Sequence, residues 1–248
     1  MRIGIITGAS SGMGRDFARL LAREDIDELW LIARREERLL RLSKKLGLPC
    51  RTLPLDLLDR ASITILSDCL AMESPEVVWL VNAAGYGLIG KVQDLTQDEQ
   101  DHMVTLNCTA LTAITRAVLP YMSDGSHIVQ FASAAAFLPQ PEFAVYAATK
   151  AYVLSFSRAL NAELRPRGIS VTAVCPGPVN TEFLGIAEEH EAAAKYKRFF
   201  MSESRRVVKS ACRAAKLRRE VVVPSLSMQA LQLATKILPH KVILKFMK

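Results

Sequence analysis

The chain has 248 residues, half of them hydrophobic and 23% charged, with a net charge of +7. That length suits one α/β domain with a full core, 1–248, and no apolar run approaches the ~18 residues of a transmembrane helix. The positive charge comes with only 6% aromatics and no basic stripe interleaved with them, so nucleic acid is set aside in favour of a mildly basic protein with an anionic ligand.

The first apolar run, Ile3–Thr7, reads as a buried parallel strand. Gly8-Ala9-Ser10-Ser11-Gly12-Met13-Gly14 follows at once, and then an amphipathic stretch with Phe17, Leu20 and Leu21. Strand, glycine turn and helix in that order make a phosphate cradle. Gly8 allows the tight turn, Gly12 the approach of a pyrophosphate, and Gly14 the close packing of helix on strand. The anion would face unpaired N–H groups at the helix N-terminus. The spacing G-x-x-x-G-x-G departs from the usual G-x-G-x-x-G, and alone it also fits a plain loop.

Further strands are expected at Leu29–Ile32, Cys50–Leu55, Val77–Val81, His127–Phe131, Ile169–Val174 and Glu220–Val223, with helices in the intervals. Those include Asp98–Met122, expected to be broken or bent, and Tyr146–Leu164. The alternation predicts one doubly wound Rossmann-type domain: a mostly parallel seven-stranded sheet with helices on both faces. Asp56 and Leu57 follow the third strand, where Asp56 also suits a helix N-cap. Asn82-Ala83-Ala84-Gly85 follows the fourth, and its small residues keep the backbone close to a ligand, with Gly85 free to take φ > 0. Ser133 follows the fifth strand at the edge where ligands bind in such sheets, and it equally suits a helix N-cap. Pro176-Gly177-Pro178-Val179-Asn180-Thr181 turns the chain out of the sixth.

Tyr146 and Lys150 stand four residues apart on a helix. Four residues advance a helix by about 400°, so both side chains leave one face. An ammonium close to a phenol favours the phenolate and lowers its pKa from ~10, producing a proton donor tuned for carbonyl reduction. The five cysteines show no C-x-x-C spacing and the four histidines no zinc spacing. With no secretory segment after Met1, they read as reduced thiols of a cytoplasmic protein without a metal.

Taken together, Thr7-Gly8-x-x-x-Gly12-x-Gly14, Asn82-Ala83-Ala84-Gly85, Asn107, Ser133, Tyr146-x-x-x-Lys150 and Pro176-Gly177 resemble the short-chain dehydrogenase/reductase family in order and spacing, from Arg2 to about Thr181. Ser133 lies thirteen positions before the tyrosine, as in that family. The resemblance implies Tyr146 as proton donor in reduction and acceptor in oxidation, and Ser133 as a hydrogen-bond donor to the substrate carbonyl. It gives Lys150 to both the phenol and the nicotinamide ribose, and Asn107 to a proton-relaying water, although Asn107 alone also fits a buried amide satisfied by backbone. It sets Asp56 against adenine, has Asn82 tie neighbouring strands, and closes 176–181 over the nicotinamide with Thr181 as a hydroxyl contact. A dimer or tetramer is implied, built on the helices after Asn107 and Tyr146, with Ala110, Ala113, Ala117, Ala151 and Phe156 as compatible surfaces.

Charge selects the cofactor. An NAD site carries an acid about 20 residues beyond the glycine turn. Here that strand end reads Ala33-Arg34-Arg35-Glu36-Glu37. Arginines at a helix N-terminus call for an anion, and a 2′-phosphate supplies one. NADP is therefore expected ahead of NAD; pairing of the arginines with Glu36 and Glu37 is the competing account, and Ser11 stands where many NADP-using relatives carry a base.

Phe183–Leu217 is expected to be a charged, helical substrate loop, and Ala134-Ala135-Ala136 an apolar floor suited to a hydrophobic carbonyl or alcohol. The tail 226–248 is basic and amphipathic. Leu226, Ala230, Leu233 and Ile237 share a helical face expected to pack on the domain, and Val242, Ile243, Leu244, Phe246 and Met247 form a second apolar cluster. Lid, subunit contact and membrane-surface contact all fit the tail. A non-catalytic relative that senses nucleotide or scaffolds a complex is the alternative function; such proteins usually lose the tyrosine or lysine, both kept here.

Overall fold

The computed structural model describes residues 1–190 and 201–245. Its strands are β1 (Arg2–Thr7), β2 (Glu28–Ile32), β3 (Cys50–Leu53), β4 (Glu76–Asn82), β5 (His127–Phe131), β6 (Ser170–Val174), β7 (Val179–Asn180), β8 (Ser202–Glu203) and β9 (Val221–Val222). Seven of them form one sheet in the order β3-β2-β1-β4-β5-β6-β9, every pair parallel. β7 and β8 pair separately. The order reverses between β1 and β4, which opens a crevice at their carboxyl ends.

The helices are α1 (Gly12–Leu21), α2 (Glu36–Ser43), α3 (Arg60–Glu73), α4 (Gln97–Val104) and α5 (Leu111–Val118). They continue with α6 (Ala144–Leu164), α7 (Glu182–Ala187), α8 (Ser204–Lys216), α9 (Leu226–Ile237) and α10 (His240–Lys245). Strand side chains alternate between two core layers, as the pleat requires. Ile6, Leu31 and Val129 meet Phe17 and Leu21 of α1, Leu39 of α2 and Val207 and Ala211 of α8. Ile5, Trp30 and Ile128 meet Leu66 and Leu70 of α3, Ile114 and Val118 of α5 and Leu160 of α6. Each fully buried side chain of this size contributes about 1.5–3 kcal/mol.

The registers bring the strand ends level. Thr7 lies opposite both Ile32 and Asn82, Ile32 opposite Leu53, and Phe131 opposite Val174. Every loop that leaves these ends opens on the same edge, and that edge carries the site.

Three expectations need correction. The third strand stops at Leu53 rather than Leu55, because Pro54 has no N–H for the ladder. The stretch up to Leu217 is not all substrate loop: α8 buries Val207, Val208, Ala211, Cys212 and Ala215 beside α1 and keeps its bases outside. Residues 191–200 of that stretch, and Phe246 and Met247 of the second apolar cluster, lie outside the described residues. Residues 97–121 are long and apolar enough to pass as a membrane span by length and composition, contrary to expectation. Their apolar residues Met103, Leu111, Ile114 and Val118 are nevertheless buried in the protein. The predicted bend is present as a π-helical turn at Thr105–Ala110 between α4 and α5.

Candidate active site

The glycine turn follows β1. Gly8 (φ +67°) and Gly12 (φ +49°) occupy the left-handed region. A β-carbon on Gly8 would lie 2.8 Å from the Ala84 nitrogen, and one on Gly14 only 2.4 Å from the Gly8 oxygen. Thus Gly8 lets the turn touch the loop after β4, and Gly14 lets α1 pack on the turn. The Thr7 hydroxyl accepts hydrogen bonds from the N–H groups of Ala83 and Ala84, both 3.1 Å, which fastens the two loops together. Leu57 is buried beside this junction, lining a small recess with Thr7, Asn82 and Ala84. Ser11 is the extended N-cap of α1, Met13 is half-buried in its first turn, and Ser10 is buried.

Behind this junction, Asn82 donates to the Thr115 hydroxyl at 3.0 Å, and Gln130 donates to the same oxygen at 3.1 Å. Asn82 therefore ties β4 to α5, and reaches the neighbouring strand only through Thr115. Gly85 does not have positive φ, contrary to expectation. Its requirement is space, since a β-carbon there would lie 2.8 Å from Asn107 Oδ1 and 3.4 Å from Lys150 Nζ. Asn107 is fully buried in the π-helical turn. It accepts from Tyr86 N–H (3.1 Å) and donates to Tyr86 C=O (2.8 Å) and to Thr149 Oγ1 (3.0 Å). Its side chain is thus the satisfied buried amide, a clasp on the loop after β4.

Tyr146 and Lys150 share the inner face of α6, both buried. Lys150 Nζ lies 5.6 Å from the Tyr146 ring centroid and donates to the Phe131 carbonyl at the end of β5, 2.8 Å away. Burial pushes the lysine down to about 8. Burial also pushes the Tyr146 phenol up to about 12, and a hydrogen bond with the Ser133 hydroxyl pulls it the other way. The protein alone therefore raises the phenol rather than lowering it, because burial outweighs the hydrogen bond from Ser133. Ser133 also caps the short 3-10 turn Ala134–Phe137, accepting from Ala135 N–H at 3.1 Å, which is the N-cap role considered for it. Cys175, wholly buried and lifted to about 12 by burial, lies close to both Ser133 and Lys150.

Apolar rings surround the phenol. Phe143 stacks on Tyr146 at 4.2 Å between centroids, and Phe183 of α7 stands 5.5 Å away. Leu88, Ile89, Ala135 and Ala187 belong to the same cluster. Gly87 is a site residue that motif reading missed. A β-carbon there would fall 2.3 Å from Tyr146 Cδ2, and the glycine pair Gly85-x-Gly87 was its signal.

Beside the glycine turn stands a group of cations. Arg35 Nε and Nη2 donate to Ser10 Oγ at 3.3 and 3.1 Å, and Arg35 Nη1 pairs with Glu182 at 2.8 Å. Arg38, one helical turn on, reaches the other oxygen of Glu182 at 2.6 Å. Neither Arg38 nor Glu182 was anticipated; the i, i+3 spacing from Arg35 was the only hint of Arg38. Of the two predicted arginines, Arg35 is the one held on the turn, while exposed Arg34 carries its charge near Tyr86. Glu36 and Glu37 are not their partners, since Glu37 pairs with Arg41 and the anion facing Arg35 is Glu182. Asp56 is exposed and accepts from Leu58 N–H; the N-cap of α3 is Asp59 instead.

The chain after β6 crosses the site. Pro176 C=O accepts from Ala134 N–H at 2.8 Å, Val179 starts the pair with β8, and Thr181 caps α7 facing Gly12. Gly177 meets Met228 of α9. Yet the face of α9 expected to pack inward points out, with Leu226 81%, Leu233 60% and Ile237 70% exposed. Met228 is the anchor, lodged beside Val221, Val223 and Cys175. Ala110, expected on a subunit surface, is buried in the core. Among the described residues no group of three or more His, Cys, Asp and Glu could hold a metal ion, and all five cysteines are free thiols.

Glycines whose missing β-carbons leave room, aligned N–H groups and a pair of arginines suit a pyrophosphate with an additional anionic group. The comparisons with known proteins agree with that geometry. A family model, short chain dehydrogenase, matches residues 2–192. Sulfoacetaldehyde reductase 2 of Chromohalobacter salexigens is 37% identical over 201 residues, covering 77% of this chain and 78% of its own length. A short-chain dehydrogenase from Sphingobium yanoikuyae, solved in complex with NADPH, superposes with a TM-score of 0.81 at 32% identity, covering 95% of this chain and 94% of its own. A bulky-bulky ketone specific alcohol dehydrogenase from Comamonas testosteroni gives a TM-score of 0.76 at 27% identity, with 95% and 92% covered.

Proposed function

Because the chain belongs to the short-chain dehydrogenase family and is an NAD(P)-dependent oxidoreductase by class, we propose that it uses NADP(H) to interconvert a hydrophobic ketone or aldehyde with its alcohol. One observation carries the reading: Tyr146, Ser133 and Lys150 converge beside the glycine turn, on one edge of the sheet. The reading of NADP over NAD rests on Arg35 and Arg38 beside Ser10, with no acid at Ala33. The NADPH-bound Sphingobium relative supports it.

The bound nicotinamide would supply the hydride. The chain's own part is to manage the charge that builds on the carbonyl oxygen. Ser133 holds that oxygen by a hydrogen bond and Tyr146 delivers the proton. Lys150, with its pKa near 8, can give up and regain a proton close to working pH and so restore the phenol. Asn107 acts at one remove, fixing the 85–87 backbone against the tyrosine. Phe143, Phe183, Leu88 and Ile89 exclude water and favour an apolar substrate.

Beyond the substrate, the partners we propose are further copies of this chain, in a dimer or tetramer, and an anionic membrane surface met by the C-terminal helices. The setting we propose is the cytoplasm, in keeping with five free thiols. Nucleic acid has no place in this reading. The test is NADPH oxidation with a panel of aldehydes, diketones and oxoacyl esters. Tyr146→Phe should lower turnover on the substrate so found by about 10²–10⁴-fold while NADPH binding holds. Near-native turnover by Tyr146→Phe would refute the assignment.

A further inference from the structure

We propose that Glu182 is an internal competitor for the anion subsite built by Ser10, Arg35 and Arg38, so that a ligand phosphate and the first residue of α7 exclude one another. The inference rests on the reading of this chain as NADP-binding. Both carboxylate oxygens are engaged, Oε2 by Arg35 at 2.8 Å and Oε1 by Arg38 at 2.6 Å. The partners lie 147 and 144 residues apart in sequence, so tertiary structure alone brings them together. The far side of the Arg35 guanidinium rests on Ser10 of the glycine turn, which aims it along the cofactor cradle. A carboxylate and a phosphate present the same paired acceptors to a guanidinium fork, so what holds the one can hold the other. Arg35 first, and Arg38 after it, keep the Glu182 carboxyl below its ordinary range, so the competitor is charged at neutral pH.

Strength decides the exchange. The three side chains are roughly two-fifths exposed, and ion pairs in that setting are weak and screened. A phosphate monoester carries up to two charges and three acceptor oxygens, so it displaces the carboxylate rather than being shut out. Displacement has a second effect, because Glu182 opens the helix that carries Phe183 to the Tyr146 ring and Ala187 C=O to Ile89 N–H. Filling the anion subsite thus releases one tether of the substrate wall. A nucleotide without the 2′-phosphate leaves that tether fastened. By linkage the coupling runs both ways.

The test measures binding, not turnover. NADPH and NADH are titrated by calorimetry into the unaltered protein, Glu182→Gln and Arg38→Ala. Glu182→Gln should bind NADPH about three- to tenfold more tightly and NADH within about twofold of the unaltered protein. Arg38→Ala should weaken NADPH several-fold and spare NADH. Adenosine 2′,5′-bisphosphate against 5′-AMP repeats the comparison without the nicotinamide. If NADPH is preferred but Glu182→Gln leaves its affinity unchanged, or weakens both nucleotides alike, the competitor is refuted while the cofactor reading stands. Failure of the unaltered protein to bind either nucleotide overturns both.

Discussion

Gly87 shows how a residue without a side chain can set the chemistry of one that has it. A methyl group there would enter the Tyr146 ring, so Gly87→Ala must shift the phenol or the loop. Displacements near 1 Å cost about 10²-fold in rate. We expect kcat to fall by about that factor with the NADPH dissociation constant unchanged; equal kcat in a steady-state assay would refute the contact. His127 makes a different prediction. Burial first, then Arg218 and Lys216, hold it near 4, below its ordinary 6.5. Its contribution to stability is complete above pH 6.5 and is lost as pH falls through 4, because the unfolded chain binds the proton first. Unfolding free energies from urea titrations should therefore drop between pH 6.5 and 4, by at most about 1.4 kcal/mol per pH unit for one proton. His127→Gln should flatten that slope. The motif residues Gly8, Gly14, Ser133, Tyr146 and Lys150 were legible because their chemistry is local or periodic. Arg38 and Glu182 were not, since a contact spanning 144 residues leaves no trace in spacing.

Among elements, the seven strands of the main sheet could be read to within two residues because buried parallel strands are continuous apolar runs between turns, whereas the two-residue β7 and β8 were not expected. The break in Asp98–Met122 was also foreseen, although its form, a π-helical turn around Asn107, was not. Helix α9 shows the limit of such reading. Leu226, Ala230, Leu233 and Ile237 form the more apolar face, and burying it was the natural expectation. Met228 decides otherwise: its side chain fills the space above Gly177 and rotates the apolar face outward. Periodicity gives a helix its faces, and the surface it meets chooses between them.

For the whole molecule, that outward face belongs to a segment whose charged residues, Lys236, Lys241, Lys245 and Lys248, are all basic, since 221–248 contains no acid. Apolar surface in a segment whose only charges are cations suits an anionic bilayer, at about 1 kcal/mol per lysine near the surface. The protein should pellet with anionic liposomes at low salt, and release at high salt. Leu233→Glu should abolish pelleting without changing NADPH affinity. Absence of pelleting by the unaltered protein would exclude a membrane partner.

The level strand ends described above also divide the chain by inheritance. On the proposed reading, β1, β2, β3 and the loops they carry hold the phosphate-bearing end of the nucleotide, while Ser133, Tyr146 and the apolar wall that would meet the substrate all come after Asn82. A recombination crossover near that residue could exchange cofactor preference between relatives and leave substrate range alone. The exception is Glu182, which sits in the second half but answers to Arg35 and Arg38 in the first. Chimeras that separate the three would inherit a mismatched pair of halves, so those positions should travel together.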